Sequence, residues 1–277
     1  IFVMYSPDRK SALEATVMCL QDMPGYGLCQ KTLVIDGAPN VVFEDWDLVQ
    51  VPRLDGQFCW SHMWEAGVAS ARFDKIWYLD SDRLLPKNYL ERLSDMIDEG
   101  VFVFSSNHYL LLKELTVEQC KDLFVSYERG EMTCEDFLGC ARFEPRFREP
   151  VHGPGKNVMS GNTAFTKETF YQIGGVDPWY RGHGAFADTD FHFSAKVAGC
   201  EFVDLGEAEF HYPQPKRHNE QKLGTMELRR LGLDNYIYYC HKWGLPMAMA
   251  ENVAHECNLK YPAKYVEKKL REIKSSR

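Results

Sequence analysis

The stretch at residues 75–82, KIWYLDSD, decides the fold, because four apolar or aromatic residues lead directly into Asp80 and Asp82. Residues 75–79 predict a buried strand that delivers the two aspartates at its carboxyl end. Alternate side chains of an extended chain point to one face, so both carboxylates can reach one hard divalent cation such as Mn²⁺ or Mg²⁺. A lone Asp-x-Asp pair is more often a turn or a cap, and the apolar strand before it favours the metal interpretation.

Strand and helix patterns alternate on both sides of this stretch. The pattern predicts further strands at residues 1–5, 30–35, 101–105 and 200–205, and helices at 61–71, 86–97, 167–173 and 188–198. A capping box at Thr116 and Gln119 predicts one more helix that reaches about Glu128, and the proline- and glycine-rich residues 142–156 predict a loop. The alternation predicts an α/β fold in which helices cover both faces of a mostly parallel sheet. Ligands of such sheets collect at the carboxyl ends of the strands.

The composition is that of a globular protein. The 277 residues are 45% hydrophobic and 26% charged, and 32 basic against 40 acidic side chains give a formal net charge of −8. This balance offers no general attraction to nucleic acid or to anionic membranes. The apolar runs are far shorter than the ~18 residues of a membrane span, so no span is predicted.

The nine cysteines are an odd number and contain no Cys-x-x-Cys pair. This spacing favours free thiols and a reducing, cytoplasmic setting. The secretory lumen stays open as an alternative, because Cys134 and Cys140 can form a bridge. Residues from 219 onward are helical by pattern, and residues 260–277 are basic, which indicates a solvated terminal helix or, alternatively, contact with an anionic partner.

The order of the first elements resembles a known enzyme family. A strand ending at Asp36, a helix containing Glu65 and a strand ending at Asp80 and Asp82 are similar to the nucleotide-binding half of the inverting GT-A glycosyltransferases of family 2. The resemblance implies a GT-A fold, a UDP-linked nucleotide sugar as donor, and Mn²⁺ or Mg²⁺ as cofactor. It implies that Asp36 contacts the uracil or ribose, that Asp80 contacts the ribose or metal, and that Asp82 binds the metal.

The second half of the chain resembles the acceptor-side signature shared by family 2 and galactosyltransferase family 7. The residues that carry it are 160–165 (SGNTAF), 173–177 (IGGVD) and 179–184 (WYRGHG). The substrate contacts that this resemblance implies are Gly161, Asn162, Trp179, Gly182, His183 and Gly184. Glycine backbones can approach a sugar closely, and tryptophan can stack on its apolar face.

Two further roles follow from the same resemblance. Asp188 looks like the catalytic base, which takes the proton of the acceptor hydroxyl as that hydroxyl attacks the anomeric carbon with inversion. His211 is similar to the histidine that completes the metal site. The residues alone leave alternatives open, since Asp188 can be a helix N-cap and His211 a core histidine.

The resemblance covers about residues 1–212. It predicts a GT-A domain at 1–215, with a nucleotide-sugar half at 1–106 and an acceptor half at 107–215, followed by a helical C-terminal extension at 216–277. Three positions depart from the family pattern, namely Glu65 for asparagine, His183 for tryptophan and Ala187 for the first acidic residue before Asp188. These departures leave the acceptor open among glycan, protein, lipid and modified nucleic acid.

Two other functions are compatible with parts of the pattern. An Asp-x-Asp after an apolar strand also opens haloacid-dehalogenase-type phosphatases, but Leu84 stands where that family has threonine or valine. A GT-A-shaped module that binds nucleotide sugars without turnover is the second alternative, because Ala187 replaces an acidic residue.

Overall fold

The computed structural model describes residues 1–53, 59–105, 107–111, 119, 122, 126, 129, 141–143, 161–180, 186–212, 225–257 and 259–275. Within these ranges the strands are β1 Phe2–Tyr5, β2 Thr32–Ile35, β3 Asp47–Gln50, β4 Lys75–Asp80, β5 Arg83–Leu84, β6 Val101–Phe104, β7 Asn107–Leu111, β8 Ala141–Phe143, β9 Asn162–Thr166, β10 Glu201–Asp204 and β11 Ala208–His211. The α-helices are α1 Lys10–Gln21, α2 Trp60–Ser70, α3 Tyr89–Met96, α4 Lys167–Gln172, α5 Ala187–Val197, α6 Thr225–Lys242, α7 Met247–Glu256 and α8 Pro262–Ser275.

The main sheet has seven strands in the order β10-β6-β9-β4-β1-β2-β3. Its neighbours pair in parallel except for β9, which runs antiparallel to both β4 and β6. The predicted mostly parallel sheet is therefore confirmed. Because β1, β2 and β4 are parallel neighbours, their carboxyl ends meet at one edge.

Helices cover both faces of this sheet, as the sequence predicts. Alternate residues of β1 divide between two apolar clusters, with Val3 and Tyr5 on one face and Phe2 and Met4 on the other. The first face packs against residues of α1 and α3, and the second against residues of α2, α4 and α5. Burial on both faces explains why the strands read as continuous apolar runs.

A second, smaller sheet was not predicted. It has four strands in the order β5-β11-β7-β8, with β11 parallel to β7 and antiparallel to β5. In the β5–β11 pair His211 lies opposite Arg83. This pairing joins the segment after the Asp-x-Asp pair to a strand more than a hundred residues later.

The C-terminal region is helical, as predicted, and consists of α6, α7 and α8. These helices bury Tyr236, Ile237 and Ala250 in an apolar cluster that also contains Tyr180 and Ala187. The extension thus packs directly on residues beside α5. Over the ranges that the structure describes, no helix has the length and apolar character needed to span a bilayer.

One strand was missed and one local prediction is wrong. Residues 47–50 form strand β3, which the pattern missed because its side chains are mostly exposed at the sheet edge. Residues 142 and 143 belong to β8 rather than to a loop, because they pair with β7. Most of the predicted 116–128 helix and 142–156 loop lies outside the described residues, as do Cys134 and Cys140. Six described cysteines are not in disulfides: Cys19, Cys29, Cys59, Cys200, Cys240 and Cys257.

Candidate active site

The acidic pair lies at the carboxyl end of β4. Asp80 is the last residue of the strand, and Ser81 and Asp82 form the turn into β5. The Asp80 side chain is 26% exposed, whereas that of Asp82 is fully buried. The turn, rather than the strand alternation assumed from the sequence, therefore sets the direction of the second carboxylate.

Arg83 holds the two aspartates together. Its guanidinium lies 3.4 Å from Asp80 Oδ2, 3.4 Å from Asp82 Oδ1 and 2.9 Å from Glu209 Oε1. Burial lowers the pKa of Arg83, but the three carboxylates outweigh it and raise the pKa above its ordinary value. Arg83 is thus a permanent buried cation that organises three acidic groups.

Asp82 and His211 lie together at this edge of the sheet. His211 Nε2 is 3.2 Å from Asp82 Oδ2, and Arg9 Nη1 is 3.1 Å from the same oxygen. The Tyr212 N–H also donates to the Asp82 carbonyl at 2.8 Å, which continues the β5–β11 pairing. Burial raises the pKa of Asp82, but His211, Arg83 and Arg9 outweigh burial and hold the pKa well below its usual range.

The geometry of this pair fits a shared divalent cation. Ligands at adjacent corners of an octahedron with bonds of about 2.1 Å lie about 3.0 Å apart, close to the 3.2 Å between the two side chains. In the parts of the chain that the structure describes, no group of three or more histidine, cysteine, aspartate or glutamate side chains forms a metal site. The pair therefore suits an ion that takes its other ligands from substrate phosphates and water. The role of Asp82 and His211 as metal ligands stays a prediction.

Gly161 passes directly against the acidic pair. Its carbonyl accepts a hydrogen bond from the Asp80 N–H at 2.6 Å, and its φ is +81°. A Cβ at this position would lie 2.2 Å from Arg83 Nη2 and 2.4 Å from Asp80 Oδ2. Only glycine fits, because both the backbone conformation and the available space exclude a side chain.

Asn162 is buried and bonded to three side chains. Its Oδ1 accepts from Trp77 Nε1 at 2.7 Å, while its Nδ2 donates to Tyr89 at 2.7 Å and to Glu209 at 3.0 Å. Asn162 thereby ties β9 to Glu209 on the neighbouring sheet. Its predicted contact with substrate stays a prediction.

Asp36 lies just beyond the carboxyl end of β2 and is 2% exposed. Arg53 Nε is 2.9 Å from Asp36 Oδ2 and also donates to the Asp36 carbonyl. In the described part of the chain, no group donates a hydrogen bond to the buried Oδ1. This acceptor suits an N–H or O–H donor of a bound ligand.

Asp188 is the second residue of α5. Its Oδ1 accepts from the Thr189 N–H at 2.8 Å, and its side chain is half-buried. The N-cap is Phe186, so the alternative that Asp188 is itself the cap is wrong. A carboxylate in the first turn is stabilised by the positive end of the helix.

The predicted acceptor-side residues are only partly described. Trp179 is half-buried and stacks on Tyr238 with ring centroids 5.0 Å apart. Gly182, His183 and Gly184 lie outside the described residues. Ala187 is 4% exposed and packs in the cluster with α6, so the position that departs from the family pattern belongs to the apolar core.

Sequence reasoning missed the basic partners of this region. Arg9 and Arg83 pair with the aspartates, and Glu209 pairs with Arg83. One signal was available: Glu209 and His211 are alternate residues of a strand and therefore share a face. The strand itself is short and its partner lies far away in sequence, so the pattern alone did not reveal it.

No protein-family model and no curated protein sequence matches the chain. Solved structures resemble it, among them GalNAc-T7, PcManGT and TarS. GalNAc-T7 with UDP, GalNAc and Mn²⁺ has a TM-score of 0.51 and 13% identity over 99% of this chain and 57% of that chain. Mannosyltransferase PcManGT from Pyrobaculum calidifontis, in complex with GDP-Man and Mn²⁺, has a TM-score of 0.51 and 12% identity over 100% of this chain and 75% of that chain. S. aureus TarS 1-349 in complex with UDP has a TM-score of 0.50 and 10% identity over 91% of this chain and 69% of that chain.

These likenesses show the fold: the chain has the α/β architecture of the GT-A glycosyltransferases. The chain spans little more than half the length of the GalNAc-T7 chain. The narrower resemblance to families 2 and 7 stays a prediction.

Proposed function

We propose that the chain is a metal-dependent glycosyltransferase that moves a sugar from a UDP-linked nucleotide sugar to an acceptor hydroxyl with inversion. The convergence of Asp82 and His211 at the carboxyl edge of a GT-A sheet carries this proposal. Ligands bind at this edge in open α/β sheets. The neighbouring structures contain UDP or GDP-Man, and two of them contain Mn²⁺.

The donor side uses residues that follow three parallel strands. The unpaired oxygen Oδ1 of Asp36 accepts a hydrogen bond from the uracil or ribose of the donor. Asp80, which is partly exposed beside Gly161, contacts the ribose or the metal. Asp82 and His211 would hold Mn²⁺ or Mg²⁺, and the bound ion would offset the charge that develops on the leaving diphosphate.

The acceptor side uses the start of α5. Asp188 accepts the proton of the attacking hydroxyl on the face of the anomeric carbon opposite the diphosphate. The positive end of the helix stabilises a carboxylate in its first turn. Trp179 supplies an aromatic face for a sugar ring, and Gly182, His183 and Gly184 complete the acceptor segment.

A first experiment tests the donor and the metal. We expect a UDP-sugar to raise the melting temperature of the protein only when Mn²⁺ or Mg²⁺ is present, because the ion and the diphosphate complete one site. A panel of UDP- and GDP-sugars, each with and without metal, identifies the donor. The Asp82→Ala variant should lose the metal-dependent part of the shift, and an equal shift in wild type and variant would contradict the proposed site.

A second experiment tests the base. The stabilising donor is incubated with the protein and the release of UDP is followed, since hydrolysis by water needs no other acceptor. Asp188→Asn should reduce this rate about a hundredfold or more while leaving donor binding intact. Asp95→Asn, on the exposed face of α3, is the matched control. An unchanged rate in Asp188→Asn would overturn the mechanism, and donor binding without turnover in wild type would identify a binding module.

A further inference from the structure

Arg9 contacts the Asp82 oxygen that would bind the proposed metal. It ends the short 3-10 helix Pro7–Arg9, just beyond the carboxyl end of β1. Its Nη1 is 3.1 Å from Asp82 Oδ2, and His211 Nε2 is 3.2 Å from that same oxygen. A divalent cation bound by Asp82 Oδ2 and His211 Nε2 would compete with the Arg9 guanidinium for the lone pairs of that carboxylate oxygen.

The charges around Asp82 Oδ2 also favour the departure of Arg9 when a divalent cation binds. Asp80, Asp82 and Glu209 carry three negative charges, and Arg9 and Arg83 carry two positive ones, so with His211 in the neutral form that a metal ligand requires the cluster sums to −3 + 2 = −1. A divalent cation changes this sum to +1 while Arg9 is in place. It changes the sum to 0 if Arg9 has left, and a buried cluster is most stable when its charges balance.

Of the two arginines, only Arg9 is free to leave. The Arg83 side chain is 5% exposed and contacts three carboxylates. The Arg9 side chain is 18% exposed, and in the described ranges Asp82 is its one ion-pair partner. Arg9 can therefore move toward solvent at the cost of one contact, whereas Arg83 cannot.

We propose that Arg9 is a tethered cation that binds Asp82 Oδ2, the oxygen that also contacts His211, in the metal-free protein and is displaced when a divalent ion binds. The inference rests on the proposed function, because it assumes that these two side chains are metal ligands. Beyond that function, Arg9 lowers the affinity of the site for the metal ion. In the metal-free state the positive charge of Arg9 compensates the buried Asp82 carboxylate. A divalent ion therefore has to displace the Arg9 guanidinium before it can bind Asp82.

The test measures Mn²⁺ binding directly, without donor or turnover. Electron paramagnetic resonance reports free Mn²⁺ during titration of the wild-type chain, Arg9→Gln and Lys10→Gln. Lys10 is the neighbouring residue, is exposed and pairs only weakly with Glu14, so its variant removes the same charge away from the site. We expect Arg9→Gln to bind Mn²⁺ about tenfold more tightly or better, because a positive charge a few ångströms away no longer opposes the ion. Lys10→Gln should bind as wild type does.

Further variants distinguish an error in the role of Arg9 from an error in the proposed metal site. Arg9→Lys keeps the charge and should stay within about threefold of wild type, and Arg9→Met replaces Arg9→Gln if the latter fails to fold. In the double variant Arg9→Gln/His211→Ala the gain in Mn²⁺ affinity over the wild-type chain should disappear. Unchanged or weaker Mn²⁺ binding in Arg9→Gln, or equal gains in Arg9→Lys and Arg9→Gln, would overturn the role of Arg9 and leave the proposed function standing. Absence of Mn²⁺ binding in every variant, with donor present as well, would overturn both.

Discussion

Gly161 determines how closely the chain can pass the acidic pair. Its backbone is left-handed, and the side chains of Asp80 and Arg83 fill the space where a Cβ would lie. These two constraints have different causes, because the first is a property of the backbone and the second of the packing. They can be separated by comparison with a glycine that has only the first.

Gly174 provides this comparison. Its φ is +89°, but no heavy atom lies within 4 Å of a Cβ built there. We expect Gly174→Ala to lower the free energy of unfolding by about 1 kcal/mol, and Gly161→Ala to lower it by at least about 2 kcal/mol more. Gly161→Ala should also weaken Mn²⁺ binding, since the overlap displaces Asp80 and Arg83. Urea unfolding and Mn²⁺ titration measure the two effects, and equal losses in both variants would show that packing at Gly161 is unimportant.

At the level of residues, the sequence pointed to the aspartates and to His211, and it missed the two arginines and Glu209. The resemblance pointed to Asp82 and His211, and the structure brings them within 3.2 Å. Arg83 could not be paired with Glu209 from sequence, because their contact depends on the register of two short strands. Arg9 was missed for a related reason, since its partner is fixed only when β1 and β4 lie side by side.

At the level of elements, the start of α5 is held by α6. Phe186, the residue before α5, has a φ of +85° and stacks on Tyr236 with ring centroids 4.6 Å apart. Asp190 in the first turn accepts from Lys242 Nζ and from Trp243 Nε1, both at 2.7 Å. These contacts stabilise a backbone conformation that is unfavourable for a bulky residue, and they fix the helix end that carries Asp188.

Lys242 is the centre of this attachment. It also lies 2.8 Å from Asp177, and the two carboxylates outweigh burial and raise the pKa of Lys242. We expect Lys242→Gln to lower the free energy of unfolding by about 3 kcal/mol, because it leaves the buried carboxylate of Asp190 and the half-buried one of Asp177 without their cation. Lys268→Gln is the control, since that side chain is 70% exposed and should matter little. Urea unfolding at neutral pH measures both, and a loss no larger than the control's would contradict this role.

Elements with a continuous apolar run were predictable, and elements defined by their partners were not. Strands β1, β4 and β6 are buried on both faces, which the sequence shows directly. Strand β3 lies at the sheet edge with mostly exposed side chains, and β5 has only two residues. Such strands exist because a neighbour pairs with them, and their own sequence carries little signal.

At the level of the whole molecule, strand order brings the candidate residues together. Asp36 follows β2, Arg9 follows β1 and Asp80 ends β4, and these strands are adjacent and parallel. Their carboxyl ends therefore share one edge of the sheet. Strand β11 then adds His211 from the second sheet, so the candidate site lies where the two sheets meet.

The buried His192 of α5 makes the stability of the whole fold depend on pH. It is 4% exposed and packs on Phe202 with ring centroids 4.4 Å apart. Burial, assisted by the charge of Lys196, lowers the pKa of His192 to about 4, whereas its ordinary value is 6.5. The unfolded chain therefore takes up a proton below about pH 6.5 that the folded chain refuses until about pH 4, and stability falls as the pH decreases through this window.

Many other groups titrate in the same range, so the contribution of His192 is measured as a difference between the wild-type chain and a variant. Between about pH 8 and pH 5, His192 alone should lower the free energy of unfolding by about 2 kcal/mol. The His192→Gln variant has no such group, so its loss over this interval should be smaller than that of the wild-type chain by about that amount. Urea unfolding of both proteins at the two pH values measures the difference. Parallel pH profiles would mean that His192 is protonated as readily in the folded protein as in the unfolded chain, and a compensating contact would then have to hold its charged form.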